Sequence, residues 1–363
     1  MGAEVRVLDA PGLWIDGTAV EQLETTARLD GVELAVGLPD LHPGRGHPIG
    51  AAFLSSLLYP HLVGSDIGCG MSLFRTGLSV RRSDPRRLGQ RLGSLEEPVT
   101  AHGEDAALGT IGAGNHFAEL QRITEVVDQD TVERLGLDAG ELILLVHSGS
   151  RGFGQAVLDA HLADHGSTGV EPASVAGSAY LDAHDRAVTW ARRNRRMIAE
   201  RFADRLSFEL ADPVIDVCHN SVTPLTVEDR VMWLHRKGAA PATEGPVVIP
   251  GSRDAASYLC QPTGDLRVCG WSLAHGAGRK WSRSQARDKT ARRHTAASLT
   301  RTEGGGLVIC DDKNLLFEEA PAAYKPIDSV VGALVDHGCV QILAVSRPVL
   351  TYKTRRAETP GRR

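Results

Sequence analysis

Three apolar runs in this chain stop at a histidine. ELILLV (141–146) leads into His147 and the turn Ser-Gly-Ser-Arg-Gly, and PVIDV (213–217) leads into Cys218, His219 and Asn220. LRVCGWSLA (266–274) leads into His275-Gly-Ala-Gly-Arg279. Leucine-rich and β-branched runs of this length read as buried strands, so each places an imidazole at or just past a strand end. A long segment from about Tyr180 to Ala211 has helical spacing, with Leu181, Val188, Met197, Ile198 and Phe202 on one side. Shorter helices are predicted after Ser83, near Thr131 and from Arg283 to Ser298. Strands and helices mix without a strict strand–helix–strand rhythm, which predicts a mixed α/β (α+β) fold rather than a doubly wound sheet. With no repeat or low-complexity linker among 363 residues, a single large domain is expected.

Composition narrows the function. The formal net charge of -5 excludes a globally basic nucleic-acid clamp but leaves room for a local basic groove. Two stretches could supply one: Arg192, Arg193, Arg195 and Arg196, and the run from Arg279 to Arg293. A solvated helix face is the simpler reading of each. No apolar run approaches the roughly 20 residues of a membrane helix, and the N-terminus lacks a signal-peptide pattern. A cytoplasmic protein with no membrane partner is expected. The six cysteines form no CxxC pair, and five of them read as small buried hydrophobes in a reducing compartment. Cys69 is the exception.

The first dense motif is Leu38-Pro-Asp-Leu-His-Pro-Gly-Arg-Gly-His-Pro-Ile-Gly50. Its proline and glycine content predicts a fixed irregular loop holding Asp40, His42 and His47. Val63-Gly-Ser-Asp66-Ile-Gly-Cys69-Gly-Met71 follows, in which a carboxylate and a thiol three residues apart could share or bridge metal ions. Next comes Gly109-Thr-Ile-Gly-Ala-Gly-Asn115-His116-Phe-Ala-Glu119. A helix starting near Asn115 would put His116 and Glu119 on one side and offer a phosphate cradle at its start. Taken singly, each motif is also explained by a turn or a buried side chain. Together with His147, His219 and His275 at strand ends, they make a metal centre the economical reading. One Asp, one Cys and three His donors suit zinc, manganese, iron or cobalt. The absence of closed CxxC pairs favours a catalytic over a structural site.

These segments together resemble the RtcB family of RNA ligases. The residues that carry the resemblance are DLHPGRGHPIG (40–50), GSDIGCGM (64–71), GTIGAGNHFAEL (109–120), VHSGSRGFG (146–154), CHNSV (218–222), HRKGAAPA (235–242), VIPGSRDAASYL (248–259), AHGAGRKWSR (274–283) and EEAPAAYKPIDSVV (318–331). They occur in family order over nearly the whole chain. The resemblance implies one RtcB-like domain over residues 1–353 with a central metal-binding cleft, followed by a flexible tail, 354–363. It implies an enzyme that joins RNA 2′,3′-cyclic phosphate or 3′-phosphate ends to 5′-hydroxyl ends, using GTP and two Mn2+ ions.

Carried over position by position, Asp66, Cys69 and His116 would hold one manganese, and Cys69 would bridge to a second held by His147 and His219. His275 matches the histidine that takes GMP. Asn115, Glu119, Ser252, Gly276, Ala277, Gly278, Arg279, Tyr324 and Lys353 match GTP- or GMP-binding positions. The short chain and the wording of its first two motifs resemble a branch associated with peptide release factor H. That branch implies RNA repair, with an accessory activator or a release factor H-like partner. Two other readings keep the same residues: a metal-dependent phosphoesterase that processes RNA ends without joining them, and a non-catalytic RNA- or ribosome-binding factor.

Overall fold

The computed structural model describes residues 2–97, 105 and 107–355. In chain order its strands are β1 (Glu4–Val7), β2 (Val32–His42), β3 (Ile49–Ser55), β4 (Gly70–Ser79), β5 (Phe117–Val126), β6 (Glu141–Ser148) and β7 (Ile215–Cys218). They continue as β8 (Asn220–Val227), β9 (Arg230–Lys237), β10 (Ala239–Pro241), β11 (Val247–Pro250), β12 (Ser257–Pro262), β13 (Ser272–Ala274), β14 (Leu307–Cys310) and β15 (Val340–Thr354). The helices are α1 (Gly17–Thr26), α2 (Pro85–Leu92), α3 (Gln129–Arg134), α4 (Gly152–His165), α5 (Val175–Leu206), α6 (Arg283–Ala291), α7 (Lys313–Glu318) and α8 (Ile327–Asp336).

Two sheets dominate. A five-stranded sheet runs β1-β2-β3-β9-β8, and a larger one runs β11-β12-β15-β5-β6-β4-β7, with β14 beside β15. Alternation along each strand explains the layering. Ile143 and Leu145 of β6, with Met71 and Leu73 of β4, meet Leu34, Val36 and Leu54 of the smaller sheet in the main core. The other face of β6, Leu142, Leu144 and Val146, packs on Ile198 and Phe202 of α5 and Leu88 of α2. Ala35, Ala51 and Phe53, on the outer face of the small sheet, pack on Ala19 and Leu23 of α1. The result is a single mixed α/β domain in which β6 is buried on both faces, as its unbroken apolar run requires.

Several sequence expectations change in detail. The Asp40–His42 stretch is strand rather than loop, although the β2–β3 ladder slips between Gly37 and His42, so the backbone there is irregular within the strand. Phe117–Val126 is a strand, so no helix starts near Asn115 and no helical cradle exists there. The run 266–271 folds as turns, leaving only Ser272–Ala274 as strand. The helix begun at Arg283 ends at Ala291 rather than Ser298. The long helix is Val175–Leu206, stopped by Ser207 in the left-handed region at φ 59°. At the C-terminus, β15 reaches Thr354, and the Arg355 amide donates to Glu96. The rest of the expected tail, 356–363, lies outside the described residues.

Candidate metal centre and catalytic cleft

Strand alternation aims the donors. Cys69 precedes Met71 and Leu73, His147 follows Ile143 and Leu145, and His219 follows Ile215 and Val217. Those apolar residues all face the core between the sheets, and each donor inherits their direction two residues on. Register sets the donors side by side. Met71 opposes both His147 and Val217, and Phe117 opposes His147 from the other flank. Cys69 Sγ therefore lies 3.3 Å from His116 Nε2 and 3.2 Å from His147 Nε2. His147 Nε2 is 3.3 Å from His219 Nε2, and Asp66 Oδ2 is 2.8 Å from His116 Nε2. The donor atoms of Cys69, His116 and His147 all fall within 4.8 Å of one another.

The electrostatics suit a cation. Burial, reinforced by neighbouring imidazoles, drives His147 and His219 well below the ordinary histidine pKa. Both rings are neutral, and two neutral Nε2 atoms facing each other can share only one proton. Burial, with Asp66 adding to it, pushes the Cys69 thiol well above its usual range. Burial would also raise Asp66, but His116 overcomes it and the carboxyl ends up lowered. A buried thiol beside a carboxylate stays protonated until a cation arrives. Convergent imidazole lone pairs, a carboxylate and a latent thiolate thus form a donor set that fits a metal ion.

Of the fifteen site residues expected from sequence, all but His116 line one cleft of about 630 Å3. His116 meets it through Asp66 and Cys69. His275 follows β13, and its ring lies 4.9 Å from that of His219. His275 Nδ1 is 2.6 Å from Oδ2 of the fully buried Asp40, close but off the line of an aligned hydrogen bond. The same oxygen accepts from the His275 amide at 3.2 Å. Gly278 must be glycine here: its φ is +68°, and a Cβ would sit 2.2 Å from the Asp40 carbonyl oxygen.

The same cleft is lined by Glu119, Ser252, Tyr324 and Lys353. Glu119 accepts from Thr351 Oγ1 and Gln121 Nε2, each at 2.7 Å. Burial raises its pKa, and burial lowers that of Lys353. Arg279 Nη1 donates to Glu319 Oε1 at 2.9 Å and to Tyr324 Oη at 3.2 Å, while the Tyr324 hydroxyl donates to Glu319.

Sequence reasoning missed the residues that hold this arrangement. Arg195 is not on a solvated face: it is wholly buried. It donates to Gly68 O at 2.8 Å, Ser148 O at 3.0 Å, Ser72 Oγ at 2.8 Å and Asp216 Oδ1 at 2.7 Å. One guanidinium thus ties the backbone beside Cys69 and His147 to the side chains of Asp216 and Cys218, just before His219. Asn220 donates to Asp66 O at 3.1 Å and accepts from Gly238 N at 2.7 Å. Arg151 holds a non-glycine φ of 59° and sets Nη1 3.5 Å from His116 Nδ1, strain of the kind that collects at functional sites. Glu319, in the EEAPAAY motif, completes the Arg279–Tyr324 group. A helical phase count would have found Arg195, because it falls in register with the buried Ile198 and Phe202.

The profile of the family described as "tRNA-splicing ligase RtcB" matches residues 22–106 and 94–354. An RNA-splicing ligase RtcB2 of Escherichia coli is 46% identical over 94% of this chain and 93% of its own length. A tRNA-splicing ligase RtcB of Thermococcus kodakarensis is 29% identical over 91% and 90% respectively. An RNA-splicing ligase RtcB of Mycobacterium tuberculosis is 30% identical over 89% of this chain and 98% of its own. With matches along nearly its whole length, the chain belongs to the RtcB family.

Proposed function

We propose that this protein is an RNA ligase that joins a 3′-phosphate or 2′,3′-cyclic phosphate end to a 5′-hydroxyl end through a GMP–histidine intermediate, in RNA repair. The observation that carries the reading is one cleft holding both a sulfur set between two imidazoles and a carboxylate-backed histidine. Asp66, Cys69 and His116 would hold one Mn2+; Cys69 would bridge to a second held by His147 and His219. When bound, such ions neutralise phosphate charge and orient the reacting oxygens in line.

The chain's own groups do the rest. Asp40 beside Nδ1 of His275 favours the tautomer whose lone pair is on Nε2. That nitrogen attacks the α-phosphorus of GTP, the bond to the β-phosphate oxygen breaks, and pyrophosphate leaves. The RNA 3′-phosphate then displaces the imidazole from GMP. Attack by the 5′-hydroxyl on the RNA phosphorus releases GMP and closes the phosphodiester. A cyclic end is first opened by water to the 3′-phosphate. With Gly278 held against Asp40 of β2, the backbone amides of residues 276–278 would face phosphate, with Asn115 as a further phosphate contact. Glu119, Ser252, Tyr324 and Lys353 supply a polar pocket for guanine, and Arg279 faces the nucleotide from within that group.

The test is incubation of purified protein with Mn2+ and α-labelled GTP, followed by assay for a covalent, acid-labile label. Wild type is expected to carry the label, and His275→Ala to lose it while keeping its metal content. Ligation that survives His275→Ala would overturn the mechanism. A metal-loaded protein that opens cyclic phosphates but takes no label would instead be a phosphoesterase.

A further inference from the structure

A second cavity, of about 710 Å3, opens beside α6. Its cations are Arg253, Lys289, Arg292, Arg293 and Arg301, and its carboxylates are Asp254 and Glu303. In a chain of net charge -5, this is a local inversion of sign. Lys289 and Arg292 are one helical turn apart with Arg293 adjacent, so their charges gather on one side. All three are exposed, as is Arg301, and none makes an ion pair among the described residues. Lys289 Nζ rests 4.3 Å over the half-buried Trp281 ring. Unneutralised cations gathered this closely repel one another and attract a polyanion.

Arg253 connects this cavity to the catalytic cleft, because it lines both. It is 7% exposed, and its Nη2 donates to Leu316 O at 3.0 Å. Among the described residues its Nη1 is buried without a partner, as is Thr290 Oγ1 in the wall of the same cavity. Buried donors are rarely left unmade, and here one lies where the clefts meet and the other in the wall of the second cavity. Four exposed cations and the buried Arg253 line this one cavity, more positive charge than a single phosphate needs and enough for successive phosphates.

We infer that the RNA strand leaving the catalytic cleft passes Arg253 and lays its phosphodiester backbone in this basic cavity. This rests on the RNA-ligase reading and adds where the strand beyond the reacting end is held.

The test uses the whole protein and two fluorescent RNAs ending in 3′-phosphate, a trinucleotide and a strand of about twelve nucleotides. Binding is read by anisotropy across a KCl series for wild type and for a Lys289→Ala, Arg292→Ala, Arg293→Ala triple variant. These side chains are exposed and outside the catalytic cleft, so the melting temperature and the labelling by GTP are expected to hold. On the longer RNA the variant's affinity at low salt is expected to fall at least about tenfold. Its slope of log affinity against log salt should flatten by about 2, since each phosphate contact on a single strand contributes about 0.7. The trinucleotide should bind both proteins alike. An unchanged slope on the long RNA, leaving the cavity to an acidic protein surface, would overturn the inference, as would equal losses on both lengths. A wild type that binds neither RNA would overturn the functional reading itself, and this one with it.

Discussion

At the scale of single residues, the centre depends on groups buried behind its donors. Arg195 satisfies two backbone carbonyls, one hydroxyl and one carboxylate with a single fork, a geometry that lysine cannot reproduce. Its removal has a large cost, because the two buried carbonyls would lose their donor and Asp216 its principal cation. Arg195→Lys is expected to destabilise the protein by about 3–5 kcal/mol and to reduce bound metal, measured by denaturant unfolding and elemental analysis. Loss of stability with full metal content would mean that Arg195 supports the fold but does not place the donors. A run of four arginines in five positions looks like a solvated face by composition alone, and only helical phase shows that one of them points inward. Charge is the wrong signal there; position on the helix is the right one.

At the scale of elements, the strands that carry His147 and His219 were legible because unbroken apolar runs leave a buried strand as the simplest outcome. The donors' convergence was implicit in the same pattern, since each keeps the two-residue alternation of the core-facing residues before or after it. Strand order was not legible. β5 pairs with both β6 and β15, and the partners lie far apart in sequence, where local patterns carry no information. The 109–119 motif misled for another reason: a spacing of three fits a helix face, but Phe117, Glu119 and Gln121 fit a strand face equally well, and pairing with β6 and β15 decided it. In β2, proline and glycine density pointed correctly to irregular backbone but not to a strand slipping its register.

The small sheet makes its own prediction. His235 on β9 is fully buried; its Nε2 accepts from the Tyr59 amide at 2.9 Å and its Nδ1 lies 3.1 Å from Trp233 O. Burial holds its pKa down to about 4, against about 6.5 in an unfolded chain. Between those values the unfolded chain binds the proton and the folded one does not. Stability is therefore fully present above pH 6.5 and drains as pH falls toward 4. His235→Gln should be less stable than wild type at pH 7, yet lose about 2 kcal/mol less between pH 7 and 5. Equal losses in denaturant titrations at the two pH values would show that His235 is not the group responsible.

At the scale of the whole molecule, the cleft lies where the inter-sheet core opens, and its donors belong to segments with little else in common. Cys69 leads into β4, His116 into β5, His147 ends β6, and His219 joins β7 of the large sheet to β8 of the small one. Metal ions held by these donors would cross-link the two sheets as well as serve chemistry. The unfolded chain cannot present these donors together, so binding acts on the native state and stabilises it by RT ln(1 + [L]/Kd). At Mn2+ one hundred times its dissociation constant, this amounts to about 2.7 kcal/mol. For a domain this large, each kcal/mol moves the melting temperature by about 2 °C or less, so a rise of a few degrees is expected. The sulfur is the donor common to both proposed ions, so Cys69→Ala should abolish most of the rise and lower the metal stoichiometry. Loss of a donor on one ion alone, as in His219→Ala, should leave part of each. Calorimetry of the three proteins with and without Mn2+ checks the ranking. If Cys69→Ala keeps the full Mn2+-induced shift, the sulfur does not bridge, and the two-ion arrangement fails with it.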